Sequence, residues 1–173
     1  MTRSKPVPLI PERRLRARVR RLGRTIRRDY RGRDLVLVGV LKGSFIFMAD
    51  LARAIDLPLT CDFLRVSSYG SGTESLGSVR FEFDVTQPIK GKDVLLVEDI
   101  IDTGLTARSV LRSLKAKKPR SARLCALLHK PERTRVPLTI DYLGFKIPNR
   151  FVVGYGLDHD GRHRNLPYIG VLA

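Results

Sequence analysis

Residues 94–106 (VLLVEDIIDTGLT) carry the most chemically distinctive pattern in the chain. A short apolar run is followed by two adjacent carboxylates, Glu98 and Asp99, and then by a third, Asp102. Adjacent acids at the end of a buried strand are unfavourable for folding, because like charges repel and lose their hydration. Their presence is understandable if a polyhydroxylated or cationic ligand meets them.

The turn after these acids has the character of an anion site. Residues 103–106 (TGLT) open a predicted helix, where backbone N–H groups, the helix dipole and threonine hydroxyls favour a group such as a monophosphate. Carboxylates for sugar hydroxyls beside a cradle for phosphate predict a sugar phosphate as the ligand. An N-capped helix after an acidic loop would explain Asp102 and Thr103, but not Glu98 and Asp99. The chain has neither a P-loop motif nor a G-x-G-x-x-G after its first predicted strand.

The elements that must position these residues alternate between buried strands and helices. Helices are expected from about 44 to 55 and from about 105 to 117, and apolar runs predict strands at 35–41, 59–66, 79–83, 94–97, 122–128 and 140–145. Near-continuous Val and Leu runs between helices indicate an α/β fold with an open, mostly parallel sheet flanked by helices. We expect one domain over residues 1–173, with its ligand at the carboxyl ends of the strands.

Composition narrows the class of protein. The 173 residues include no apolar run of the roughly 18 residues that a membrane span needs. Two cysteines, Cys61 and Cys125, cannot form a disulfide framework or a cysteine-only zinc site, so a reducing cytoplasmic location is expected. The net charge of +16 is uneven, because residues 1–33 hold 13 of the 33 Lys and Arg but only two of the 17 acids.

This basic segment predicts an amphipathic helix over about residues 11–31. Its apolar residues recur at helical spacing, and arginines fill the other faces; the stripe is Leu15, Val19, Leu22, Ile26 and Tyr30. The arginines form either a solvated outer surface, which is the simpler interpretation, or a phosphate-tracking surface for nucleic acid. No aromatic residue lies among the arginines, which counts against stacking of single strands. A transit peptide is not favoured, because Ser4 is the only serine in the segment.

The long polar stretch 67–78 (SSYGSGTESLGS) has no periodicity. Long structureless loops in compact domains are usually lids or binding loops, although a plain hairpin connection would have the same composition.

Residues 94–106 resemble the thirteen-residue motif that binds phosphoribosyl diphosphate (PRPP) in type I phosphoribosyltransferases. Four further blocks narrow the resemblance to the bacterial-type hypoxanthine (hypoxanthine-guanine) phosphoribosyltransferases: 38–56, 62–73, 127–136 and 141–172. The resemblance implies purine salvage, in which the 5-phosphoribosyl group of PRPP moves to N9 of hypoxanthine or guanine, giving IMP or GMP and pyrophosphate. It also implies Mg²⁺ as cofactor, a homodimer or homotetramer, and a small hood from the chain ends that includes about residues 145–173.

The resemblance also assigns roles at the PRPP end of the site. It places Glu98 and Asp99 on the ribose hydroxyls and makes Asp102 the general base that accepts the N7 proton of the purine. The 5′-phosphate loop is Asp102, Thr103, Gly104, Leu105 and Thr106. The pyrophosphate contacts are Lys42, Gly43 and Arg164, with a non-proline cis peptide bond between Leu41 and Lys42.

At the purine end, the same resemblance makes Lys130 the donor to the 6-oxo group, so that adenine is rejected. Phe151 stacks on the base and Val152 offers backbone groups to its edge. The resemblance also places Asp158 in this purine-binding set and implies that Asp158, Glu98 and Asp99 are Mg²⁺ ligands. The mobile lid over the site contains Ser68 and Tyr69.

Two segments depart from the pattern of the family. His159 follows Asp158 where an aromatic residue is usual, and residues 84–86 (DVT) replace a more acidic segment. The spacing of His159 and His163 imitates a zinc-protease helix, but Gly161 disfavours a helix and no third ligand is evident. Zinc is therefore not expected.

A second hypothesis of a different class is an RNA-binding regulator built on the same fold and using the basic helix. Lys130, Phe151 and Asp158 favour the enzyme, because a regulator has no need of a purine pocket.

Overall fold

A computed structural model describes residues 5–68 and 79–172 of the chain. Three α-helices lie in these ranges: α1 (Glu12–Tyr30), α2 (Phe45–Ile55) and α3 (Leu105–Ala116). The strands of these ranges are β1 (Val7–Ile10), β2 (Leu35–Leu41), β3 (Leu59–Ser68), β4 (Val79–Phe83), β5 (Asp93–Ile101), β6 (Ser121–His129), β7 (Tyr142–Lys146), β8 (Val152–Val153) and β9 (Ile169–Val171).

Six strands form the main sheet in the order β4-β3-β2-β5-β6-β7. All neighbours are parallel except β3 and β4. The side chains of β2 pack alternately into two hydrophobic cores, one on each face of the sheet. Leu35 and Leu37 pack with α1 and α2, whereas Val36 and Val38 pack with α3. Burial on both faces explains the near-continuous apolar runs and confirms the α/β class.

The chain ends form a second, smaller sheet. β9 pairs antiparallel with β1 on one side and with β8 on the other. This three-stranded sheet is the hood, and it joins residues from both ends of the chain.

The N-terminal helix has the predicted stripe. Leu15, Val19, Leu22, Ile26 and Tyr30 are all buried. α1 packs on α2, where the backbone of Ala54 leaves no room for a Cβ at the helical Gly23. None of the helices described here is long and apolar enough to span a bilayer.

β5 is longer than its apolar run predicts. It pairs with β2 only as far as Val97, but it continues to pair with β6 through Ile101. Glu98 and Asp99 are therefore part of an extended strand rather than residues beyond its end. The two acids therefore lie beyond the last residue of β5 that pairs with β2, at the carboxyl edge of the sheet.

Candidate active site

Three loops meet at the carboxyl edge of the sheet. Residues 42–44 follow β2, residues 102–104 follow β5, and Lys130 follows β6. Because β2, β5 and β6 are neighbours, their loops come together at one edge. This edge brings together the residues that the sequence assigns to the sugar phosphate, the pyrophosphate and the base.

The predicted phosphate cradle is a tight turn into α3. Gly104 is the N-cap, with a left-handed φ of 81°, so it brings no side-chain acceptor to the first turn of the helix. Arg135 donates its backbone N–H to the Thr103 carbonyl at 2.9 Å, which braces the turn from the β6 side. A cavity of about 160 Å³ opens here, lined by Glu98, Ile100, Ile101, Asp102, Thr103, Gly104, Thr106 and Ala107. The cradle and the first carboxylate therefore line the same space.

The two adjacent carboxylates are held in an unfavourable state. Glu98 is 5% exposed, and burial, followed by the charge of Asp99, raises its pKa well above the usual range. Burial raises the pKa of Asp99 to about 6, although the Ile100 N–H and the Arg164 charge oppose the shift. Polar or cationic ligand groups would relieve this cost, which supports a binding role for the pair.

Asp99→Asn should raise the free energy of unfolding of the ligand-free protein by about 1–2 kcal/mol at pH 7. The carboxyl binds a proton more tightly in the folded state than in the unfolded state, so its charge costs stability as pH rises from about 4 through about 6. The asparagine oxygen can still accept the Ile100 N–H bond. Denaturant titrations across pH 4–8 test this, and the advantage of the variant should vanish near pH 4. An advantage that is constant with pH would contradict the titration account.

The predicted pyrophosphate loop lies directly against Asp99. The Leu41–Lys42 peptide bond is cis, as the family resemblance implies. A Cβ at Gly43 would overlap the Oδ2 atom of Asp99, so a larger residue here requires the carboxylate or the loop to shift. Lys42 is exposed beside this contact.

Arg164 and Asp158 approach the same place from the hood. Arg164 Nη2 lies 2.6 Å from Asp158 Oδ1, and the other Asp158 oxygen accepts the Gly161 N–H at 2.7 Å. Both charges act on Asp99, since Arg164 lowers its pKa and Asp158 raises it. Arg164 and Asp158, the predicted pyrophosphate and metal residues, therefore lie close enough to Asp99 to shift its pKa.

The oxygen donors in this group suit Mg²⁺. Mg²⁺ usually takes one or two carboxylates and completes its shell with water and substrate oxygens. Over residues 5–68 and 79–172, no three or more metal-ligating side chains are grouped around one point. Glu98, Asp99 and Asp158 offer the oxygen donors that Mg²⁺ prefers, but they do not form a three-ligand cluster as they stand, so substrate and water oxygens would have to complete the shell.

The residues predicted to bind the purine lie directly after β6 and in the hood. Lys130 is buried and its N–H donates to the Ile101 carbonyl at 2.9 Å, next to the phosphate loop. Phe151 is 55% exposed, which suits a ring that stacks on a ligand, while Val152 is buried in β8. His159 contacts Phe151 edge-on, with 5.4 Å between the ring centroids. The histidine that departs from the pattern therefore packs beside the candidate stacking ring.

The lid is described only in part. Ser68 is the last residue of β3, and Tyr69 lies outside the described residues. The lid assignment of both residues stays a prediction.

Residues 158–164 do not form a helix. They make turns, with a bridge between His159 and Arg162. The zinc-protease arrangement is therefore absent from this segment.

One polar contact at the site was not anticipated. Arg133 Nε donates to Asp102 Oδ1 at 3.0 Å. Arg133 belongs to the short 3-10 helix Pro131–Arg133, directly after Lys130. The sequence signal for this contact was that Arg133 lies in the block 127–136. Spacing alone did not show which carboxylate Arg133 would contact.

Comparisons with known proteins agree with this arrangement. A model of the phosphoribosyl transferase domain family matches residues 11–160. The hypoxanthine-guanine phosphoribosyltransferase of Mycobacterium avium is 51% identical over 170 residues, covering 95% of this chain and 84% of that protein. The hypoxanthine phosphoribosyltransferase of Escherichia coli is 48% identical over 164 residues, covering 94% and 92%. A crystal structure of the Bacillus anthracis hypoxanthine-guanine enzyme has a TM-score of 0.93 and 44% identity, covering 99% of both chains. The chain therefore belongs to the phosphoribosyl transferase domain family, among the hypoxanthine and hypoxanthine-guanine phosphoribosyltransferases.

Proposed function

We propose that this protein is a purine-salvage transferase that moves the 5-phosphoribosyl group of PRPP to N9 of hypoxanthine or guanine. The products are IMP or GMP and pyrophosphate. The observation that carries the proposal is the turn at residues 102–106, a candidate phosphate cradle, beside the buried Glu98 and the half-buried Asp99. Relatives about 50% identical over most of the chain bear names for this activity.

The proposed reaction requires little covalent chemistry from the protein itself. The C1–O bond to pyrophosphate breaks as the purine nitrogen attacks, and positive charge develops on the ribose ring. Glu98 and Asp99 would hold the ribose hydroxyls, and their field would stabilise that charge. Asp102 would accept the proton from the purine N7, and its ion pair with Arg133 orients the carboxylate.

The diphosphate end would be held by Lys42, by the backbone of the Gly43 loop and by Arg164. Mg²⁺, the cofactor of the proposal, would bind Asp158, Glu98 and Asp99 and supply charge neutralisation to the leaving group. Each Asp158 oxygen has one partner in the ligand-free protein and keeps a further lone pair with which it could bind the ion. The lid assigned to Ser68 and Tyr69 would exclude water and so prevent hydrolysis of PRPP.

Initial rates with hypoxanthine, guanine, xanthine and adenine test the substrate class. The lysine side chain of Lys130 is a hydrogen-bond donor, so it pairs with an oxo group but not with an amine, and adenine should be the poorest substrate by about 100-fold or more. Adenine turnover equal to that of hypoxanthine would contradict the proposal.

Lys130→Ala should raise the KM for hypoxanthine by about 10- to 100-fold, because the 6-oxo group loses a charged donor. The KM for PRPP should stay within about twofold. Steady-state kinetics with one substrate varied at a time measure both constants. Lys92→Ala is a suitable control, since Lys92 pairs with Asp34 at the opposite, amino-terminal edge of the sheet. An equal rise in both KM values would contradict a base-specific role.

We also propose a homodimer or homotetramer in the cytoplasm. Symmetric self-association is the usual state of enzymes of this kind, and Cys61 and Cys125 are both free thiols, which suits a reducing compartment. Analytical ultracentrifugation distinguishes two or four copies of the 19.6 kDa chain from one.

A nucleic-acid partner has weaker support. Several arginines of α1 are already engaged within the fold: Arg16 with Glu12, Arg27 with Asp56, Arg28 with Asp29, and Arg14 and Arg18 over the Phe145 ring. No contact among the described residues favours the RNA-binding regulator over the enzyme. Retention on RNA across a salt series tests the α1 surface directly.

A further inference from the structure

The turn that carries Tyr155 is strained and lies next to the pyrophosphate end of the site. Gly154 and Leu157 exchange backbone hydrogen bonds of 2.9 and 3.1 Å, which makes Tyr155 and Gly156 the central residues of a two-residue turn. Both have positive φ, 51° and 104° respectively. Glycine, asparagine and aspartate adopt this region readily, whereas a tyrosine is strained there. The side chain of Tyr155 therefore needs a compensating contact.

That contact is a hydrogen bond to α2. Tyr155 is 5% exposed, and its hydroxyl donates to Asp50 Oδ2 at 2.5 Å. Burial, followed by the bond to Asp50, raises the pKa of Tyr155, so the hydroxyl keeps its proton. The other oxygen of Asp50 pairs with Arg53, one turn along the same helix.

The same turn holds the residues assigned to pyrophosphate. The N–H of Gly156 donates to the Arg164 carbonyl at 2.9 Å, and the Gly156 carbonyl accepts from Arg164 Nη1 at 2.6 Å. A Cβ at Gly156 would overlap the carbonyl oxygen of Gly43. A shift of this turn would therefore move Arg164. It would also disturb the packing of Gly156 against the loop that contains Gly43.

We infer that the hydrogen bond between Tyr155 and Asp50 positions the diphosphate subsite, an inference that rests on the proposed function. Asp50 lies on α2, the helix that follows the loop of Gly43, so one bond ties this helix to the turn that holds Arg164. Lys130 lies on a different strand end and has no part in this connection. The bond therefore sets affinity for the diphosphate of PRPP, with little effect on the base.

Tyr155→Phe should raise the KM for PRPP and the Kd for pyrophosphate by about five- to tenfold, because it removes one hydrogen bond and keeps the ring. The kcat and the KM for hypoxanthine should stay within about twofold. Asp50→Ala should act in the same way, whereas Asp50→Asn should behave like the unmodified protein, since an amide oxygen still accepts the bond. The variant carrying both Tyr155→Phe and Asp50→Ala should be no weaker than either single change.

Tyr168→Phe is the matched control. It also removes a tyrosine hydroxyl bond in the hood, from Tyr168 to the Pro6 carbonyl at 3.2 Å. It should leave the pyrophosphate Kd, measured by calorimetry with Mg²⁺ present, unchanged. The inference is overturned if Tyr155→Phe leaves this Kd unchanged, or if both tyrosine variants weaken it equally. Absence of turnover in the unmodified protein would instead overturn the proposed function, so the two failures are distinguishable.

Discussion

Asp102→Ala is expected to lower kcat by about 100- to 1000-fold, with the KM for PRPP changed by no more than a few-fold. The carboxylate follows β5 at the mouth of the cavity that holds the phosphate cradle. In the proposed reaction it accepts a proton in the transition state only, so its loss lowers turnover rather than substrate binding. Rapid-quench measurement of a single turnover separates this step from product release.

A matched pair of variants sharpens this prediction. Asp102→Asn and Asp56→Asn each convert an exposed carboxylate, paired with an arginine at 3.0 and 2.6 Å respectively, into an amide. Asp56 is the C-cap residue of α2 and has a left-handed backbone conformation, which asparagine tolerates. Only Asp102→Asn should lose turnover. Equal kcat values for the two variants would show that Asp102 is not the general base.

Gly43→Ala should raise the KM for PRPP by about 100-fold or more. The added methyl overlaps a carboxylate oxygen of Asp99, so either this carboxylate or the loop must move, and each shift displaces a group that the proposal places on PRPP. A misplacement of about 1 Å in a reacting complex can cost about 100-fold. Kinetics at varied PRPP, with pyrophosphate binding by calorimetry, measure the loss.

Gly91→Ala is the control for this change. It adds the same methyl at a loop glycine with nothing within 4 Å, and its positive φ of 75° makes the cost one of backbone strain. It should lower the Tm modestly and leave both KM values within about twofold. A Gly43→Ala protein with a normal KM for PRPP would show that the loop tolerates the methyl and that the contact with Asp99 does not limit binding.

The sheet and its two helical layers could be predicted because strands that are buried on both faces appear in the sequence as near-continuous apolar runs. The run at 35–41 forms β2 with the expected bounds, and the apolar stripe of α1 is fully buried. The true end of β5 could not be predicted in this way. Strand pairing with β6 carries it past Val97 through two acids, and pairing is a property of the neighbour rather than of local composition.

The candidate site could be predicted from the sequence where its residues form a contiguous motif. It was much harder to predict where distant segments of the chain meet. Residues 102–106 lie together, so the turn that opens α3 could be predicted from spacing, while its phosphate-binding role stays a prediction. The ion pair from Arg133 to Asp102 and the bond from Tyr155 to Asp50 join residues 31 and 105 positions apart. The contact of His159 with Phe151 likewise depends on the turns of residues 158–164.

The most direct measurement is the stoichiometry of products from hypoxanthine and PRPP in the presence of Mg²⁺. Chromatographic quantification should give one IMP for each pyrophosphate released, with no reaction when PRPP or hypoxanthine is omitted. This result requires a site that joins the sugar phosphate to the base and excludes water. Pyrophosphate release without IMP, or no reaction with either hypoxanthine or guanine, would contradict the account.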